Sequence, residues 1–269
     1  MNLELFASLF ASSLQLRDEF APQMPPWFTP VSLRWPAVLG FGLPPSGARS
    51  SLATVGLNPS NRELARGYVP NSLDPRQQWE AQRDYFSQPR GQLDWFDKSD
   101  RFLQAAIGRR HRDGIPHLDL SPHPTAGGFD GIYDKNATAA EKDVARKFLL
   151  RGVNAILLPL LDLLATEHGL KKVVIYGYVP APTRSAQRGS ITMKDFFWHA
   201  DRPFALMQTD AIGDLKIARG KLRTDHGWLA AHSRLALLEF IFLARGPSAR
   251  SDAADLEVAA NRTRELGWV

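Results

Sequence analysis

The stretch "LATVGLNPS", Leu52–Ser60, places a short apolar run directly before a glycine, an asparagine and a proline. Its first four residues predict a buried strand, which Gly56 and Pro59 bring to an end. No GxGxxG loop or phosphate-binding lysine follows, so the stretch does not predict a nucleotide site. Asn58 is instead left just beyond the strand, where α/β proteins place ligand-binding groups.

Further predicted strands alternate with predicted helices along the chain. The strands cover residues 115–120, 171–179 and 203–210, and the helices cover residues 71–89, 94–110, 138–170 and 228–246. Because these strands are continuous apolar runs, they favour a parallel sheet that is covered on both faces. The sequence therefore predicts a single α/β domain with a central four-stranded parallel sheet flanked by helices on both faces.

The two ends of the chain differ in composition from its centre. Residues 1–50 predict an N-terminal helix, with Leu3, Phe6 and Phe10 at helical spacing, and then a proline-rich arm packed on the core. The opening residues lack the basic region of a signal peptide. The α/β domain is expected over residues 51–246, and a C-terminal helical tail over residues 247–269.

Composition narrows the functional classes. The chain has 269 residues and no cysteine, which excludes disulfides, cysteine-ligated zinc and iron–sulfur clusters and suits a reducing, cytoplasmic location. Its apolar stretches are too short to span a membrane. The net charge of +5 and the pI of about 9.6 favour a polyanionic partner such as DNA.

Four segments, taken together, resemble the motifs of the uracil-DNA glycosylase superfamily, nearest its mismatch-specific uracil/thymine branch. They are "GLNPS" (residues 56–60), similar to a GxNP motif; "DRFLQAAIG" (100–108), similar to an arginine–phenylalanine pair that opens a helix; "HLDLSPHPT" (117–125), similar to the end of a second strand; and "TDHGWLAAHSR" (224–234), similar to a loop before the final helix. The resemblance extends from Leu52 to Phe242.

The resemblance implies a monofunctional DNA glycosylase that flips a base out of the duplex, hydrolyses its N-glycosidic bond and leaves an abasic site. Asn58 would hold the attacking water, and His226 would donate a hydrogen bond to the departing base, with Asp225 as the alternative in the adjacent register. Such a site works by positioning and electrostatics, so neither a metal nor another cofactor is expected.

The remaining site residues follow from the same resemblance. The predicted base-binding residues are Leu57, Pro59, Tyr68 and Ser121, and the predicted DNA-binding residues are Ser60, Arg62, Trp228 and Leu229, the last two as wedges that fill the gap left by the flipped base. Ser121 stands where uracil-specific members have an asparagine, and a glycine-rich stretch follows it (residues 127–131). We therefore expect a bulky modified pyrimidine as substrate, including the decorated cytosines of phage DNA, and a role in antiviral defence.

Three alternatives stay open at the level of sequence. The chain could be a uracil/thymine mismatch repair glycosylase or a DNA-binding module without enzymatic activity. It could also be a metal-dependent hydrolase, since His117, Asp119 and His123 cluster around the second strand. In the favoured interpretation the partner is double-stranded DNA and the protein is a monomer.

Overall fold

A six-stranded sheet forms the centre of the molecule. A computed structural model describes residues 1–24, 36–56, 65–88, 94–124, 138–176, 204–212, 215–222, 233–243 and 253–269. The strands are β1 (Leu52–Gly56), β2 (His117–Asp119), β3 (Lys172–Tyr176), β4 (Phe204–Ile212), β5 (Leu215–Leu222) and β6 (Glu239–Leu243), in the spatial order β2-β1-β3-β6-β5-β4.

The four strands β2, β1, β3 and β6 run parallel, whereas β5 and β4 are antiparallel to their neighbours. The predicted α/β class is therefore confirmed, and the sheet is mostly rather than wholly parallel. The predicted number of four strands is wrong, because β4 and β5 extend the sheet. The fourth strand predicted over residues 203–210 corresponds to β4, which lies at the antiparallel edge.

The helix predicted over residues 228–246 is also wrong. In its described part, a short 3-10 helix at Ser233–Leu237 leads into β6. Phe240–Leu243 are all buried, and β6 pairs with β3 on one side and β5 on the other. A fully buried strand is a continuous apolar run, which has no periodicity that distinguishes it from a buried helix.

Six α-helices cover the sheet in the described part of the chain: α1 (Leu3–Phe20), α2 (Pro75–Arg83), α3 (Asp94–Ile107), α4 (Ala139–Gly152), α5 (Leu158–His168) and α6 (Ala253–Glu265). The helix predicted at the N-terminus is confirmed, and a capping box at Thr138 opens α4. The Thr138 amide donates to the Glu141 carboxylate at 2.7 Å, and the Glu141 amide donates to the Thr138 hydroxyl at 3.2 Å.

Each face of the sheet has its own apolar cluster. On one face Val55 and Val173 pack in a cluster with Phe6 and Phe10 of α1 and with residues of α4 and α5. On the other, the side chains of Val174 and Ile241 cluster with residues of α3 and α6. Side chains alternate between the two faces along each strand, so every second residue of a strand lies on the same face.

The N-terminal arm protects the outer edge of β2. Phe41 and His117 exchange backbone hydrogen bonds of 2.7 and 2.9 Å. The buried Gln82 side chain holds the arm from the other side, because it accepts from the Leu39 amide at 2.8 Å and donates to the Ala37 carbonyl at 3.2 Å.

None of the helices described has the length and apolarity needed to cross a lipid bilayer.

Candidate active site

The carboxyl ends of the parallel strands define the candidate site. β1 lies between β2 and β3, so the chain changes direction across the sheet at β1. Ligands of open α/β sheets bind in the crevice at such a point, beyond the strand ends. In this molecule those ends are Gly56, Asp119, Tyr176 and Leu243.

The predicted water-holding residue lies just outside the described residues. Asn58 follows Gly56 by two residues, as part of the predicted group Leu57, Asn58, Pro59, Ser60 and Arg62, all outside the description. The role of Asn58 at the crevice therefore stays a prediction.

Five buried polar side chains are linked in series along one face of the sheet, and the series ends at the crevice. Asp100 Oδ1 lies 2.7 Å from His111 Nδ1, and His111 Nε2 lies 3.1 Å from Thr54 Oγ1. Thr54 Oγ1 also lies 2.8 Å from His117 Nδ1, and His117 Nε2 lies 3.5 Å from Asp119 Oδ1. We call this series the polar relay.

The ends of the polar relay differ in exposure. The Asp100 side chain is 12% exposed, at a cavity of about 560 Å³ that Arg101, Arg110 and Arg112 also line. The Asp119 side chain is 3% exposed. Burial lowers the pKa of His111 to about 4, although the hydrogen bond to Asp100 opposes this effect. His111 is therefore a neutral imidazole near pH 7.

The proton donors along the relay can be assigned in order. The neutral His111 donates Nδ1–H to Asp100, so its Nε2 accepts the hydroxyl proton of Thr54. The Thr54 oxygen then accepts Nδ1–H from His117, and His117 Nε2 faces Asp119 Oδ1. This last link is the longest of the four, at 3.5 Å.

The second carboxylate oxygen of Asp119, Oδ2, is buried and has no hydrogen-bond partner among the described residues. A Cβ on Gly56 would approach Asp119 Oδ1 to 2.7 Å and His117 Nε2 to 3.0 Å, so only glycine leaves room for this pair at the end of β1. The glycine before Asn58 therefore serves the close approach of two strand ends.

Aromatic rings enclose the same end of the relay. The ring of Phe41 stacks on His117 with centroids 6.2 Å apart, and the rings of Trp95 and Phe96 lie 4.6 and 5.2 Å from it. Trp95 is half-buried, and its ring also lies 5.5 Å from Tyr176 at the end of β3. An aromatic face of this kind at a strand end can stack on a planar base.

Two predicted base-binding residues lie within the described part of the chain. Tyr68 is half-buried and packs edge-on against Tyr85, whose ring lies 4.3 Å from that of Phe41. Ser121 is buried, and its hydroxyl accepts a weak 3.4 Å hydrogen bond from the His123 amide. Neither contact tests a role in base binding, but the Ser121 oxygen already serves its own loop.

The loop that contains His226 begins and ends at the opposite edge of the sheet. Lys221 of β5 pairs with Glu239 at the start of β6, and Ile217 pairs with Leu243 at its end. His226 itself, Asp225, Trp228 and Leu229 lie outside the described residues. The role of His226 as the donor to the base therefore stays a prediction.

Sequence reasoning missed the segment that does follow the fourth parallel strand. Because β6 was predicted as helix, no site residue was expected after Leu243. The sequence continues there with "ARGPSAR", residues 244–250, which lie outside the described residues but begin at the carboxyl edge. The pair Arg101 and Phe102 also differs from expectation, since it lies in the second half of α3 rather than at its start.

The three residues of the metal-site alternative do not converge. His123 turns towards the opposite face, where its ring lies 5.1 Å from that of Phe148 on α4. Among the described residues no group of three metal-ligating side chains occurs.

No protein-family model matches the chain, and no curated protein matches its sequence.

Proposed function

We propose that this protein is a monofunctional DNA glycosylase that removes a modified pyrimidine from double-stranded DNA. The observation that carries the proposal is the convergence at the ends of β1 and β2. There Gly56 leads within two residues to Asn58, and the Asp119–His117 pair lies against Gly56. A water-holding amide and groups able to bind a base edge would thus share one crevice.

In the proposed reaction the bond between the base nitrogen and C1′ of deoxyribose breaks, and its electron pair leaves with the base. An oxocarbenium-like sugar forms, and the water held by the Asn58 amide oxygen adds to C1′ and loses a proton to solvent. The departing base takes up a proton from solvent at the nitrogen that left, so the products are the free base and an abasic sugar. Asn58 cannot act as a base, so it contributes by placing the water.

The proposal also names the DNA contacts, the location and the substrate of the protein. The net charge of +5 suits a phosphate backbone, with Ser60, Arg62, Trp228 and Leu229 as the proposed DNA contacts. We propose that the protein is a cytoplasmic monomer, and that its substrate is a bulky pyrimidine such as a decorated cytosine of phage DNA. Glycines have no side chain, so the glycine-rich residues 127–131 are the reason to expect that a bulky base is tolerated.

Asn58→Ala tests the proposed mechanism. We expect base release to fall by about 10²–10³-fold, because one preorganised polar contact to the reacting water is lost. DNA binding should stay close to that of the wild type, since the amide acts on the transition state. Abasic sites are measured by alkaline strand cleavage under single-turnover conditions, and binding is measured by fluorescence anisotropy.

Asn261→Ala is the matched control, because Asn261 is an exposed asparagine on α6. Wild-type turnover in Asn58→Ala would contradict the assignment of Asn58. A covalent protein–DNA adduct trapped by borohydride would contradict the monofunctional mechanism, which uses no amine. DNA binding without release of any base would favour the non-enzymatic DNA-binding module.

A further inference from the structure

Asp119 is a buried carboxylate whose second oxygen has no partner. Its Oδ1 faces His117 Nε2 at 3.5 Å, whereas Oδ2 makes no hydrogen bond among the described residues and is inaccessible to solvent. Buried polar atoms are almost always hydrogen-bonded, because an unfilled one costs about 1–3 kcal/mol. An orphan oxygen at the ligand-binding edge of the sheet therefore points to a hydrogen-bond donor on the ligand.

The polar relay fixes the chemical character of this oxygen. With or without a proton in the link between His117 Nε2 and Asp119 Oδ1, the second oxygen Oδ2 stays an acceptor. The relay also holds His117 in place through Thr54, which prevents the ring from rotating to offer a donor to Oδ2.

We propose that Asp119 accepts a hydrogen bond from the exocyclic 4-amino group of the base, and so selects cytosine-type over uracil-type pyrimidines. The inference rests on the proposed glycosylase function. A cytosine presents an N4–H₂ donor where uracil and thymine present the O4 acceptor, and a carboxylate is a known partner of that donor.

A uracil-type base fits this arrangement poorly. It could offer N3–H to the carboxylate, but its two carbonyl oxygens flank that donor. At least one of them would then lie against Asp119 Oδ1 or His117 Nε2, and neither has a proton to donate to it, because any proton of that pair lies in the link between them. Trp95, whose half-buried ring lies 4.6 Å from His117, offers a stacking face beside the same pair. Ser121, with its oxygen turned to its own loop, is replaced by Asp119 as the specificity residue.

The test compares two bases that differ at the 4-position and in the N3 proton that accompanies it. Duplexes carry either 5-hydroxymethylcytosine or 5-hydroxymethyluracil at one site, and release of each base is measured in single turnover by mass spectrometry. We expect the wild-type protein to release the cytosine derivative faster. Asp119→Asn, whose amide can donate to O4, should lower the cytosine-to-uracil ratio by about tenfold or more.

Asp143→Asn provides the matched control, since Asp143 is 52% exposed on α4 and should leave the ratio unchanged. Thermal unfolding and DNA binding verify that Asp119→Asn is folded. Faster release of the uracil derivative by the wild type overturns the inference even if the variant does not fold. An unchanged ratio in a folded Asp119→Asn overturns it too, while the glycosylase proposal stands. Release of neither base, nor of any other modified pyrimidine, refutes the glycosylase proposal and the inference with it.

Discussion

At the scale of single residues, Thr54 is the hub of the candidate site. Its one hydroxyl touches both His111 Nε2 and His117 Nδ1 in a region where all three side chains are buried. A hydroxyl can donate one proton and accept another, so it can link two imidazoles that a purely apolar side chain would leave apart. The orientation of His117 towards Asp119 therefore depends on an atom in the middle of β1.

Thr54→Val tests this dependence, because valine keeps the shape of threonine and removes the hydroxyl. Two buried imidazole nitrogens lose their partner, so we expect a loss of about 1–3 kcal/mol in the free energy of unfolding. Thr54→Ser, which keeps the hydroxyl, should lose clearly less. Urea unfolding at pH 7 measures both variants. Equal stability of Thr54→Val and the wild type would contradict the relay.

At the scale of elements, the loop after β2 packs its histidine between two helices. His123 is fully buried, its ring lies 5.1 Å from that of Phe148 of α4, and neither ring nitrogen has a hydrogen bond of normal geometry among the described residues. Burial lowers its pKa to about 3, and the Arg17 cation adds to this, against weaker opposing effects of Asp18 and the Ser13 backbone. His123 is thus an apolar packing residue in practice.

This packing predicts a pH dependence of stability. The unfolded chain binds protons at His111 and His123 below about pH 6.5, whereas the folded chain binds them only near pH 4 and 3. Stability should therefore fall as pH drops below 6.5. His123→Leu should reduce the loss between pH 7 and pH 5 by about 2 kcal/mol, measured by urea unfolding at both values. An unchanged loss in this variant would show that His123 is not held neutral.

Between pH 7 and 8 the wild type and His123→Leu should show nearly parallel stability, since both histidines are then mostly neutral in either state. This interval is the internal control. A difference in slope there would point to another titrating group.

The element scale also shows where sequence patterns fail. β1, β3 and the capped helix α4 have strong local signals, such as an apolar run with a following glycine, or the Thr138–Glu141 pair. β6 has the apolar content of a strand but lies in a longer stretch rich in leucine and alanine, which favours helix. Its pairing between β3 and β5 decides the structure, and pairing of distant strands leaves no local signature.

At the scale of the whole molecule, the α/β class followed from alternating strands and helices, but the site followed only in part. Alternation along β2 predicts that His117 and Asp119 share one face, whereas Asn58 lies outside the described residues. The orphan oxygen of Asp119 could not be predicted, because it depends on the approach of Gly56 and on the links through Thr54 and His111. Ser121 was favoured from its position alone, without knowledge of where its oxygen points.

The central claim is that the crevice at the ends of β1 and β2 breaks N-glycosidic bonds. Mass spectrometry of the small molecules released from duplex DNA containing modified cytosines, with EDTA present, tests this claim most directly. The account predicts a free modified base in equal amount to abasic sites, and less than about a hundredth of that rate for Asn58→Ala. Intact DNA after prolonged incubation across a panel of modified pyrimidines, or release that EDTA abolishes, would contradict it.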